Sequence, residues 1–380
     1  YADHLGPHKV DRVQRQMVIR DSIWLRAETK PYEQRTALSP KGAKTLIDAG
    51  FKVTVECSSQ NIFDDELYQQ INAQLVPQGT WIDAPKDAII LGLKELPEDN
   101  FPLIHQHVYF AHAYKEQSGW QALLSRFKQG EGQLFDLEFL VDADQRRVAA
   151  FGYWAGFAGA ALSVLSWANQ QLNIDLPLKN ISAYQDKQQL LGDLDKLISE
   201  VLNQPEKLSL SKPKLLVIGA KGRSGKGAVD LAKALSFEVL EWDLAETKKG
   251  GPFEEIIQAD IFINCVLINQ DLPPFITKEL INNEARKLSV IVDVSCDPYG
   301  SYNPLPIYHQ CTTFETPCIR IDSTKVLDLI AIDHLPSLLP KESSEDYGEQ
   351  LLTHLLTLDD KSQGVWPSAL ALFNSKTKDL

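Results

Sequence analysis

Apolar and polar positions divide the chain into two alternating series of strand-like and helix-like segments. The first opens with the apolar run in "SIWLRAE" (22–28) and continues with "SPKGAKTLIDAG" (39–50), where apolar residues recur at helical spacing. Ser39 suits a helix N-cap, Pro40 the first helical position and Gly50 the stop. Strand "FKVTVEC", helix "DDELYQQINAQ" and strand "DAIILGLK" follow, a β-α-β-α-β order that predicts a parallel sheet. In "LGLKELPEDNFPLIHQHVYFAHAYKEQ" (91–117) one apolar run ends at Lys94 and a second at His112. Two-residue alternation puts Ile90, Gly92 and Lys94 on one face, and Val108, Phe110 and His112 on another. A third run, "GQLFDLEFL" (132–140), brings Glu138 to a comparable position.

The second series runs from "KLLVIGA" (214–220) through a Gly-rich turn into helix "GKGAVDLAKAL", then strands "FEVLEWD", "DIFINCVL" and "SVIVDVS". Between the series lie an uncharged stretch, Val148 to Ala168, and a polar, Leu-punctuated one, Asn180 to Pro213, that reads as surface helices and linker. The uncharged stretch has the length of a membrane span. It is the only one of its kind and is rich in small residues, so the expectation is a buried helix threading between two domains. Gly152, Gly156 and Gly159 would let it approach neighbouring backbone. After Ser323, Pro and acidic residues precede a terminal amphipathic helix. The fold class is therefore α/β: two Rossmann-like, doubly wound parallel-sheet domains with a cleft between them. Residues 1–150 form the expected substrate-binding domain and 151–334 the nucleotide-binding domain, with 335–380 packing back on the first.

Composition narrows the partners. The net charge of −13 over 380 residues leaves no general basic surface, which argues against nucleic acid and makes any functional cations local. The five cysteines are scattered, without CxxC spacing, so neither a disulfide framework nor a zinc site is expected. They read as reduced thiols of a cytoplasmic protein with no membrane partner. The first residues are polar and charged rather than a secretory signal. The single methionine, Met17, precedes the first strand, and translation is expected to begin there, with residues 1–16 an upstream extension.

"VIGAKGRSGKGA" places Gly219, Gly222 and Gly225 at a strand-to-helix turn, a GxxGxxG variant of the dinucleotide fingerprint. The next strand ends at Asp243, near the offset where an acidic residue accepts hydrogen bonds from the adenosine ribose. A carboxylate there would repel a 2′-phosphate, so NAD is favoured over NADP. Lys226 is followed by Gly227, so the GK[ST] ending of a phosphate loop is absent. Ligands of open parallel sheets sit beyond the carboxyl ends of the strands, where Lys94, His112 and Glu138 fall. Lys30, Arg35, Lys115, Arg146 and Arg147 could neutralise carboxylates of a small substrate. The alternative for Arg146 and Arg147 is ion pairing with Asp142 and Asp144.

These residues resemble the NAD-dependent, lysine-forming saccharopine dehydrogenase family, related to alanine dehydrogenase and to the nucleotide-binding part of transhydrogenase. The resemblance covers nearly the whole chain from about Ser22, through "LRAETKPYEQRTALSP", "GLKELPE", "FAHAYKEQSGW", "DLEFL", "RRVAAFG", "WAGFAGAAL", "GGPFEEIIQADIFINC" and "IDHLPSLLP". It implies reversible oxidative deamination: saccharopine, NAD and water give lysine, 2-oxoglutarate and NADH. Lys94 and His112 match its acid–base catalysts, and Arg35, Gln117, Arg147 and Phe151 its substrate contacts, with the nearby Lys115 a further candidate substrate contact. Arg146, Gly222, Arg223, Asp243, Thr247, Asp293, Val294 and the segment Ile332, Asp333, His334 and Leu335 match cofactor contacts. Two departures stand out: a slightly shorter loop between Lys94 and His112, and Ser224 where a cysteine can stand, so no Ser224–Cys265 disulfide is possible. The rival readings are an alanine dehydrogenase-like enzyme, against which the paired Arg146 and Arg147 argue, and a non-catalytic NAD-binding module. Oligomeric state is left open by the sequence; a monomer is compatible with it.

Overall fold

The computed structural model describes residues 20–174, 177–205, 211–268 and 270–380. The expectation about Met17 and residues 1–16 lies outside them. The first sheet uses β1 (Ser22–Leu25), β2 (Lys52–Glu56), β3 (Gln74–Val76), β4 (Ile89–Leu91), β5 (Gln106–Tyr109) and β6 (Gln133–Asp136), with α1 (Pro40–Asp48), α2 (Asp65–Gln70) and α3 (Trp120–Gly130) as connections. Ser39 caps α1 through its side chain, which accepts from the Gly42 amide, and Gly50 turns the chain at φ 97°. Strand order is β3-β2-β1-β4-β5-β6, parallel throughout, so the order reverses between β1 and β4. A crevice opens beyond the carboxyl ends of strands at such a switch point.

The chain then enters α4 (Gly152–Leu172) and α5 (Lys187–Leu202), followed by β7 (Leu215–Ile218), α6 (Arg223–Ala234), β8 (Val239–Trp242), α7 (Leu244–Thr247), α8 (Glu254–Gln258), β9 (Ile261–Asn264), α9 (Lys278–Ile281), β10 (Val290–Asp293), β11 (Ile319–Asp322) and β12 (Leu327–Ile330). The second sheet runs β11-β12-β10-β9-β7-β8, parallel except for the antiparallel edge strand β11. Its switch point lies between β7 and β9, where the Gly-rich turn leaves β7.

Three differences from the sequence reading matter. Strand pairing ends at Leu91 and Tyr109, not at Lys94 and His112; the backbone stays bonded past β4 (Gly92 N–H to Val108 O, 3.0 Å; Phe110 N–H to Leu93 O, 3.1 Å) and then turns away. His112 itself takes a left-handed backbone at φ 53°, so the proton-transfer groups sit on loops beyond the sheet. The uncharged helix α4 is buried, but most of it packs on one sheet rather than between the two. Trp154, Phe157, Leu162, Val164 and Trp167 are buried in the core under the second sheet, while Phe151 at its start packs on the first core. A Cβ on Gly156 would lie 1.7 Å from the Ser224 carbonyl, which is how closely α4 crosses α6. Among the described residues, no helix is long and apolar enough to cross a membrane. Finally, β3, β11, β12 and a last helix were not foreseen. Helices α10 (Pro340–Leu355) and α11 (Trp366–Thr377) bury Tyr347, Leu351, Leu355, Trp366 and Ala369 in the core of the first sheet.

Candidate active site

Leu25, Leu91, Val108 and Phe135 lie in register across β1, β4, β5 and β6, so the loops after these strands emerge side by side. The loop after β4 carries Lys94, that after β5 His112 and Lys115, that after β6 Glu138, and that after β1 Lys30, Glu33 and Arg35. The Lys94 backbone is held by a buried pair that sequence reading missed. Glu28 accepts the Leu93 amide at 2.7 Å and the Lys94 amide at 2.9 Å, while Arg26 donates to the Lys94 carbonyl. Arg26 reaches across because residue 92 is glycine; a Cβ there would lie 2.4 Å from the Arg26 Nε. The only signal in the sequence was a charge pair, "RAE", at the end of an apolar strand.

The Lys94 side chain is half-buried and has no ion-pair partner among the described residues. Burial lowers its pKa, and the Arg35 charge lowers it further, against opposition from Glu33 and Glu95. The cations felt by Lys94 are Arg35 and Lys30; Lys115 instead pairs with Glu138 at 2.6 Å. Arg35 is buried, grips Glu33 through Nε (2.8 Å) and Nη2 (2.6 Å), and lies 4.7 Å over the Phe151 ring. Burial alone would raise Glu33, but Arg35 brings its carboxyl below the ordinary range.

His112 donates from Nδ1 to Glu138 Oε2 at 2.9 Å when neutral, which leaves Nε2 to face Glu95 at 3.6 Å. Hydrogen bonding from His112, then Lys115, holds Glu138 down at about 2. Glu95 in turn meets Lys30 at 2.6 Å. A line of alternating charge thus runs Lys115, Glu138, His112, Glu95, Lys30 beside Lys94. Phe151 stacks on Tyr347 with centroids 4.3 Å apart. Gln117 is exposed after η-type turn residues 113–115, and Arg147 is exposed without an ion-pair partner among the described residues. Arg146 is exposed and pairs with Asp142 (3.3 Å) and Asp144.

The remaining candidates lie at the carboxyl edge of the second sheet. Gly219 has φ 85°, and a Cβ on Gly225 would lie 2.0 Å from the Gly219 carbonyl, so only glycine permits this turn into α6. Gly222 is the N-cap of α6 and offers no side chain to its free amides, with Arg223 next in line. Asp243 follows β8, accepts the Lys221 amide of the Gly-rich turn at 3.0 Å, and caps α7, while the Thr247 hydroxyl donates to the Asp243 carbonyl at 3.0 Å. Asp293 is buried with Val294 beyond it, and accepts from Asn264 (2.9 Å), Ser295 and the Tyr308 hydroxyl (2.6 Å). Ile332 to Leu335 follow β12, with His334 Nδ1 2.6 Å from Asp333 Oδ1. Because β12, β10, β9, β7 and β8 are neighbours, these residues share one edge.

The two edges meet. His334, and after it Lys94 and Lys30 from the first sheet, hold the Asp333 carboxyl below its usual range, although burial opposes them. A cavity of about 520 Å³ is lined by Lys30, Glu33, Lys94, Phe314, Asp333 and His334. A second, of about 650 Å³, is lined by Tyr153, Trp154, Arg223 and the acidic Glu345, Asp346 and Glu349. Only the first contains Lys94, so it is the candidate reaction site.

Two sheets that present chemistry across one cleft define the class: a two-domain dehydrogenase of the alanine dehydrogenase/transhydrogenase type. Residues 24–158 match the family described as "Alanine dehydrogenase/PNT, N-terminal domain" and 248–372 its "C-terminal domain". An L-alanine dehydrogenase structure shares this fold, with a TM-score of 0.63 at 19% identity over 94% of this chain and 99% of that one. Within that class, the chain is 51% identical to the saccharopine dehydrogenase [NAD(+), L-lysine-forming] of Yarrowia lipolytica, over 93% of this chain and 96% of the relative. It is 50% identical to that of Emericella nidulans, over 95% and 98%. The chain belongs to the NAD-dependent, L-lysine-forming saccharopine dehydrogenase family.

Proposed function

We propose that the protein catalyses the reversible oxidative deamination of L-saccharopine to L-lysine and 2-oxoglutarate with NAD, in lysine metabolism. The observation that carries this is a half-buried lysine without a counter-ion among the described residues, next to a carboxylate-supported histidine and a cluster of cations. The Gly-rich turn, the α6 amides and Asp243 fit a dinucleotide, with Arg223, Thr247, Val294 and Ile332 to Leu335 along the same edge. NAD held there would supply the acceptor for the hydride of the substrate carbon. Lys94, whose burial and Arg35 favour the neutral amine, takes the proton of the substrate's secondary amine. His112 is oriented by Glu138 so that Nε2 can move a proton to or from water as the imine is hydrolysed.

A substrate with three carboxylates calls for several cations. Arg35 commits Nε and Nη2 to Glu33 and leaves Nη1 for an incoming carboxylate. Arg147, Lys115 and Gln117 are exposed and available to further substrate groups, and the Phe151 ring under Arg35 is proposed as an apolar contact. Arg146 would have to exchange its pairs with Asp142 and Asp144 for a cofactor contact. We assign residues up to about 150 to substrate, 151–334 to NAD, and 335–380 to closing the first unit. The free state of all five cysteines suits a reducing compartment, and the cytoplasm is the proposed location. Incubation with saccharopine and NAD should yield lysine, 2-oxoglutarate and NADH in equal amounts. NADH without lysine would refute the assignment.

A further inference from the structure

Cys296 and Cys311 are isolated in the sequence, but the fold brings them together. β10 ends at Asp293, and Cys296 lies on the loop that continues from it through Val294. Cys311 precedes Thr312, which bridges to Ile332, and Thr312 is tied to Ala331 both ways: its amide donates to the Ala331 carbonyl (2.7 Å) and its hydroxyl accepts the Ala331 amide (2.9 Å). The two sulfurs are 3.1 Å apart, and the Cys296 thiol donates to the Ala331 carbonyl at 3.1 Å. Cys296 has a left-handed backbone, φ 48°, which turns its side chain's loop toward that carbonyl. Both residues are half-buried, not sealed in the core. A disulfide requires an S–S distance of about 2.05 Å, so the sulfurs must approach by about 1 Å.

We propose that Cys296 and Cys311 form a redox-sensitive dithiol that is oxidised by a low-molecular-weight disulfide and weakens dinucleotide binding when closed. The second part rests on reading Val294 and Ile332 to Leu335 as cofactor contacts. Burial pushes the Cys296 thiol up, which makes it the resolving partner. Cys311, as thiolate, attacks one sulfur of the small disulfide, forming a mixed disulfide and releasing one small thiolate that takes up the Cys311 proton. Cys296 then loses its proton and attacks the Cys311 sulfur; the second small thiolate leaves and takes that proton. Two protein thiols are oxidised by two electrons to one disulfide, and one small disulfide is reduced to two thiols. Closure removes the Cys296 donor from the Ala331 carbonyl and draws together the loops that hold Val294 and Ile332.

The test uses the full-length protein and oxidised glutathione as probe. The reduced protein should show five alkylatable thiols when denatured, and the treated protein three, with a peptide cross-link joining Cys296 to Cys311. Cys311→Ser should give no such cross-link. The NADH dissociation constant of the treated wild type should rise at least threefold, return with dithiothreitol, and stay constant in Cys311→Ser treated alongside. Five remaining thiols, or a glutathione left on Cys311 without the cross-link, would overturn the dithiol. A cross-link with unchanged NADH affinity would overturn its effect on the cofactor. A reduced protein that does not bind NADH at all would strike the cofactor reading instead, and the thiol count would still stand or fall alone.

Discussion

In the proposed mechanism Lys94 serves as the base because its amine is half-buried and has no ion-pair partner among the described residues, whereas Lys115, on the loop after β5, is paired with Glu138. General acid–base catalysis contributes roughly 10²–10⁴-fold, so Lys94→Met and His112→Gln should each lower turnover by about that factor. NADH affinity should be retained in both; its loss would point to a binding role. The pH dependence follows from the charges around Lys94. A depressed pKa makes the neutral amine available at lower pH, and Arg35 contributes to that depression. Arg35→Met removes this cation and leaves the Glu33 carboxylate unpaired beside Lys94, and both changes favour the protonated amine. The limb of the kcat/KM profile for saccharopine oxidation that reports Lys94 should therefore move to higher pH. A limb that stays in place would belong to another group. Lys94 and His112 stood out in the sequence because each closes an apolar run, although both lie on loops beyond the paired strands. The grip of Glu28 on the Lys94 amide was not, because it spans 66 residues and depends on β1 lying beside β4.

Among the elements, the alternating series, the Ser39 cap and the Gly-rich turn were readable, since each rests on local spacing. Strand β11 was not: "IRID" has only two apolar residues, and Arg320 finds its partner, the buried Asp328, across the ladder at 2.5 Å. The loop after β4 shows how an element boundary sets chemistry. Gly92→Ala would push Arg26 off the Lys94 carbonyl, and overpacking of this kind costs about 1–3 kcal/mol. The variant should unfold at lower denaturant and turn over more slowly, while NADH binding is kept. Full activity would mean that Arg26 and Glu28 do not position Lys94. At the other edge, Asp243 both faces the Gly-rich turn and caps α7. Asp243→Ala should lose about 1 kcal/mol of cap stability. It should also narrow a preference for NAD over NADP that we expect to be at least about tenfold, or about 1.4 kcal/mol. Equal wild-type efficiency with both cofactors would remove the ribose role from Asp243.

At the scale of the molecule, neither sheet is sufficient. The first brings Lys94, His112 and the cations to one rim; the second brings the Gly-rich turn, Asp243 and Asp333 to another; and Lys94 and Lys30 act on Asp333 across the cleft. With a net charge of −13 these clustered cations are local, as the proposed polycarboxylate substrate requires, rather than part of a basic surface. The shared architecture with alanine dehydrogenase means that the fold alone does not choose the substrate. The most direct test is NADH consumption by the wild type and by Lys94→Met, with lysine plus 2-oxoglutarate and, separately, with ammonia plus pyruvate. Rapid oxidation by the wild type with the first pair only, reduced by about 10²-fold or more in Lys94→Met, is the predicted result. Oxidation with ammonia plus pyruvate alone, or equal rates in wild type and variant, would contradict it.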